Sequence, residues 1–173
     1  MKNARFALVG LSLVLAGVIE STWLSMLGFP GAVPPLTLVV VFSLSQRRLP
    51  ANAAVVGFIG GLVMDIMPPS ATPMGVSAFA FAAVAFVASG VKPFIEGSGV
   101  LALAAIASAA AISLMLRIAV SIAVSSPQDV TENFLGNLLS SAAYAVMLAV
   151  IVLPVAKWFD TVITPRPATS IVR

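Results

Sequence analysis

The chain has no cysteine and no histidine. The first absence excludes disulfides and thiolate metal sites and leaves the redox compartment undefined. The second removes the commonest general base and the commonest metal ligand together. Charge is scarce as well: 9% of the 173 residues are Asp, Glu, Lys or Arg, while 60% are hydrophobic, which is far from the balance of a water-soluble domain. The net charge of +3 comes from scattered cations, so nucleic acid is not an expected partner. Catalytic signatures are missing too. There is no phosphate-cradling Gly-rich loop, no HExxH and no nucleophile elbow, and an aspartyl dyad would need a second intramembrane aspartate beside Asp65. Neither an enzyme nor a cofactor site is expected.

What the chain does have is apolar runs of spanning character. The sequence predicts an all-α integral membrane protein, a six-helix bundle in a single transmembrane domain over 1–160, with a flexible cytoplasmic tail over 161–173. Lys2 and Arg5 precede the first run, but no small-residue cleavage site closes it, so it reads as a retained span over Phe6–Met26 rather than a signal peptide. Further spans are expected at Val33–Gln46, Ala51–Met67, Met74–Val91, Val100–Val124 and Asn133–Trp158. The second, opened by Pro34 and Pro35, would rise only ~21 Å against a core of ~30 Å. It either crosses a thinned bilayer or is re-entrant.

Six crossings place Lys2, Arg5, Arg47, Arg48, Lys92, Lys157, Arg166 and Arg173 on one side, while the opposite loops carry only Asp129 and Glu132. By the positive-inside rule both termini are cytoplasmic.

Three ionisable residues remain inside the spans: Glu20, Asp65 and Arg117. Counted from the cytoplasmic ends, they lie ~22 to 28 Å across, at one level in the outer half. Each belongs to a row of small or polar residues spaced by four, and so to one helix face. The rows are Ser12, Ala16 and Glu20; Ala53, Gly57, Gly61 and Asp65; and Ala105, Ala109, Ser113, Arg117 and Ser121. Asn133, Asn137 and Ser141 add a fourth row at the same end. Small residues let helices approach closely in lipid, and intramembrane charges pair or line wet cavities. The rows are therefore expected to face one another, with Arg117 as partner of Glu20, Asp65 or both. That cluster either fixes helix register and does nothing more, or forms a ligand or partner site. Gly57 and Gly61 could also mark a homodimer face, although packing within the bundle is the simpler use.

The segment GFIGGLVMDIMPPSATPMGVSAFAF resembles the central signature of the rod shape-determining protein MreD family. The likeness rests on a Gly-rich third span ending in an aspartate, an outer turn, and a Gly at the head of the next span. Here those positions are Gly57, Gly60, Gly61, Asp65, Pro68 and Gly75. Glu20 near the outer end of span one and the Pro34–Pro35 start of span two are similar to that family as well. The double proline at Pro68 and Pro69 departs from its usual turn. The resemblance implies a non-enzymatic scaffold of the cell-elongation machinery in the bacterial inner membrane. Its partners would be MreC and, indirectly, the glycosyltransferase RodA, a class B penicillin-binding protein and MreB. It also implies a fold similar to the substrate-binding S components of energy-coupling-factor vitamin transporters, which supplies an alternative function. Against that alternative, the outer loops offer no aromatic side chain beyond Phe29 to close a vitamin pocket.

Overall fold

In the computed structural model, the described residues are 2–28, 33–46, 48–67, 74–95, 98–124 and 134–163, and among them every regular element is helical. α1 covers Lys2–Ile19 and continues through a π-helical turn, Glu20–Leu24; α2 covers Leu36–Ser45, α3 Pro50–Ile66, α4 Val76–Ile95, α5 Gly99–Val124 and α6 Phe134–Ile163. Three helices are long and apolar enough to cross a membrane, over Ala7–Leu24, Gly99–Val120 and Leu135–Val155, and three shorter apolar helices accompany them. The architecture is that of an all-α membrane protein.

Why each helix begins and ends where it does is readable locally. α3 opens with Pro50 in its first turn, where a missing N–H costs nothing. α2 closes with the Arg48 side chain, whose Nε donates to the Leu44 carbonyl at 3.2 Å, satisfying an acceptor that the helix end leaves free. α4 runs on to Ile95, past the expected stop at Val91, and so takes up part of the expected loop.

α2 is the centre. It has ten residues, seven of them buried, and it packs on α1, α3, α4, α5 and α6. A helix apolar on all sides has no solvent face to present and belongs inside; Leu38, Val39, Val41 and Phe42 form the middle of the core with Leu13, Val56, Phe81 and Ile106. Its ten residues rise ~15 Å, half of a bilayer core. The second span is thus a short buried helix, shorter than the fourteen-residue segment the sequence suggested.

α3 and α4 share the largest interface, and the glycines explain it. A Cβ on Gly57 would collide with the Phe81 carbonyl, and one on Gly61 with the backbone of Ser77 and Ala78. The two helix backbones are in direct contact along this row, the close approach that gains dispersion energy in lipid. Gly60 faces elsewhere, since a Cβ there would come within 2.6 Å of Val41 and 3.3 Å of Leu13. One turn of α3 therefore serves α4 on one side and α1 with α2 on the other. The expectation that the rows of spans one, three and five face one another gives way here: the α3 row is occupied by α4, and α5 packs on α4 and α6 instead.

Candidate functional site

Helices that start inside a membrane carry an electrostatic problem. Their first amides have no intrahelical acceptor, no water reaches them in hydrocarbon, and the helix dipole places partial positive charge at the same point. α2 has Pro35 as its cap and no side-chain cap bond of its own. α4 starts after Gly75, which has φ +99°, a left-handed conformation that a Cβ would strain. Neither helix caps itself.

The caps come from Glu20 and Asp65, which are 7% and 6% exposed. Asp65 Oδ2 accepts from Gly75 N at 2.8 Å and Ala78 N at 3.1 Å, and Oδ1 accepts from Ser77 N at 3.1 Å. One carboxylate thus collects three amides at the start of α4. The Gly57–Gly61 contact brings α4 close enough for a side chain as short as Asp to reach. Glu20 Oε2 accepts from Thr37 N, in the first turn of α2, at 2.7 Å. The Thr37 hydroxyl donates to Met64 Sδ at 3.4 Å.

The π turn places Glu20. Ser25 N reaches back to the Glu20 carbonyl, an i+5 bond that widens the helix by one residue, a distortion frequent at functional positions. Carbonyls loosened by the turn receive hydroxyls: Ser21 Oγ and Thr22 Oγ1 donate to Val18 O, and Ser25 Oγ to Ser21 O. Beside it, Gly17 makes room for Val63 and Met67 of α3, and Ser21 Oγ lies 3.7 Å from Met67 Sδ. These contacts bring the Glu20 end of α1 and the Asp65 end of α3 together.

Arg117 is half-buried on α5. No carboxylate among the described residues is in ion-pair contact with it. The expected side-chain ion pair is replaced by bonds to backbone amides, which are fixed in direction and sit at a helix end that already favours an anion. Asn137 is half-buried and Ser141 buried on α6. Pro34 is buried and Pro35 half-buried where the chain turns into α2; Pro68 and Asn133 lie outside the described residues. Residue reading from the sequence missed Thr37, Ser77 and Ala78 because they contribute amides, which every residue has. The usable signal was the position of each at a helix start, just after Pro34–Pro35 and just after Gly75.

No group of three or more His, Cys, Asp or Glu residues that could hold a metal occurs among the described residues. The geometry has the character of a structural lock built from two acids and two helix starts. Compared with protein-family models, the chain matches the one described as rod shape-determining protein MreD over residues 1–162. The chain belongs to the MreD family. That match covers all six helices up to nearly the end of α6, including both capping acids. MreD-family membership makes this a membrane protein of cell shape, with a structural role in rod-shape determination. Searches of curated proteins and of solved structures returned no match.

Proposed function

We propose that this MreD-family chain is a non-enzymatic scaffold subunit of the bacterial cell-elongation machinery. It resides in the inner membrane with both termini in the cytoplasm and binds MreC. Through MreC it serves RodA, a class B penicillin-binding protein and MreB. The observation that carries this reading is the commitment of both buried acids to helix amides. Their hydrogen-bonding capacity goes into holding one arrangement of helices, which is what a docking surface requires and what acid–base chemistry would not leave bound. The sidedness follows from Arg48 at the end of α2 and from the charge-poor connectors at the Glu20 end.

Affinity purification from native membranes in mild detergent, with retained proteins and small molecules identified by mass spectrometry, tests it. Recovery of MreC with wall-synthesis enzymes is expected. Recovery of a coupling protein with ATPases, or of a stoichiometric vitamin, would replace the scaffold by a transporter S component. Asp65→Asn sharpens the test, because it sets an NH2 donor against amide donors at the start of α4. Complex formation should fall further than membrane insertion; equal loss of both would sink the link between cap and docking.

A further inference from the structure

The helices divide by length. α3 has 17 residues and rises ~25 Å; the apolar stretch of α4, Val76–Val91, ends before Lys92 and rises ~24 Å. The apolar windows of α5 and α6 have 22 and 21 residues and rise ~33 and ~31 Å. α3 and α4 share one interface and α5 and α6 another, with α2 packed against both pairs. A bilayer core of ~30 Å therefore fits the α5–α6 side and exceeds the α3–α4 side by ~5 Å.

Hydrogen bonds fix where the short side ends. Asp65 joins the last turn of α3 to Gly75, Ser77 and Ala78, so α3 stops and α4 starts at one level. Met67 just beyond has an extended backbone and Gly75 a left-handed one. Non-helical backbone is not tolerated against lipid tails, so hydrocarbon on this side ends at Met67. α1 passes that level. Ser21 Oγ lies 3.7 Å from Met67 Sδ, and the helix that begins as α1 continues to Met26, ~7 Å farther out. The outer rim of the bundle thus steps down from α1 to α3 and α4. A long helix meets a thinner bilayer by tilting, but tilting only shortens a short one further. Nor can the flanking charges reach outward, since Asp65 is bonded to amides and Arg48 Nε to the Leu44 carbonyl.

We propose that the protein thins the bilayer beside α3 and α4 by ~5 Å, chiefly in the outer leaflet, and gathers phospholipids with short acyl chains on that side alone. Lipid is favoured over a second copy of the chain as the occupant. The glycines of α3 that would let another helix approach, Gly57 and Gly61, are used against α4, and what the pair leaves exposed is bulky: Phe58 and Ile66 on α3, Phe79 and Phe86 on α4. The property adds lipid sorting to the scaffold and does not depend on MreC.

Fluorescence quenching by brominated lipid tests it. Phe58 and Met147 are exposed and lie near the middle of α3 and α6, so each can carry a reporter without disturbing packing. The full chain has two tryptophans; with Trp23 and Trp158 changed to Phe, Phe58→Trp or Met147→Trp supplies a single fluorophore. The purified protein is reconstituted alone in vesicles that mix dimyristoleoyl- and dioleoyl-phosphatidylcholine, with first one lipid and then the other dibrominated. The reporter at 58 should be quenched by the short lipid about twofold or more beyond its share of the mixture, and the reporter at 147 in proportion to that share. Phe86→Trp on α4 and Ile112→Trp on α5, also exposed, repeat the comparison and should give the same order. Equal selectivity on both sides, whether for short chains or for neither, would overturn one-sided thinning. Protection of 58 and 86 from both lipids, with 112 and 147 quenched, would overturn it in favour of a second copy covering α3 and α4.

Discussion

Asp65 and Glu20 solve one problem with different completeness. Asp65 is short, sits at the end of α3, and reaches three amides at the start of α4 because two glycines let the helix backbones come into contact. Glu20 is longer, sits in the π-helical turn that follows α1, and takes its one described side-chain bond from the Thr37 amide. A carboxylate that collects three donors is a fastener, whereas one that collects a single amide keeps acceptor positions for what arrives beside it. The α3–α4 half of the molecule reads as the rigid frame, and the α1–α2 half as the part that a partner can sense.

This contrast can be broken most forcefully at Asp65. Asp65→Ala leaves three amides of α4 without an acceptor, each worth ~1–3 kcal/mol when buried. The expected result is loss of the monodisperse protein in detergent size-exclusion chromatography; survival of an unchanged peak would remove Asp65 from the frame. Gly61→Ala comes next. Its Cβ meets the α4 backbone, and overpacking of this kind costs ~1–3 kcal/mol, to be read as a lower midpoint of thermal unfolding. Gly10→Ala, where nothing lies within 4 Å, is the matched control and should leave the midpoint in place.

At the Glu20 end the expected effects are smaller. Glu20→Gln keeps an acceptor for Thr37 N, so its cost in the same unfolding assay should stay under ~1.5 kcal/mol and below that of Asp65→Asn. The reverse order would show that the Glu20 end, not the Asp65 end, is the fastener. Smallest of all, Thr37→Val removes a hydroxyl but keeps the amide that Glu20 holds. A shift of under ~1 kcal/mol is expected, and a larger one would mean that the hydroxyl carries the contact.

Parts of this arrangement were legible in the sequence, for identifiable reasons. The row Ala53, Gly57, Gly61 and Asp65 is visible because a period of four marks one helix face, and all four are buried. The level shared by Glu20 and Asp65 follows from counting residues along spans. What receives them was not legible. A side-chain inventory looks for a cation and finds Arg117, whereas the actual donors to the carboxylates are amides of Thr37, Gly75, Ser77 and Ala78, whose availability depends on where a helix begins. Nor does periodicity announce the π turn, although Ser21, Thr22 and Ser25 supply the hydroxyls that accompany it. The central position of α2 was half visible: an even apolar run flanked by prolines signals burial, but which helices surround it depends on three-dimensional packing that spacing along one chain does not encode.

The separation between each acid and its helix start has a further consequence, for synthesis. Glu20 lies 17 residues before Thr37, and Asp65 lies 10 residues before Gly75. A growing chain therefore delivers each carboxylate to the bilayer shortly before the amides that neutralise it. Neither acid is at ease in lipid alone. α1 with α2, and α3 with α4, are accordingly expected to leave the insertion machinery as pairs, each acid held at the wet boundary until its partner helix has emerged. A chain stalled between Asp65 and Gly75 would carry an exposed charge on a glycine-lined helix, a state suited to recognition by membrane quality control.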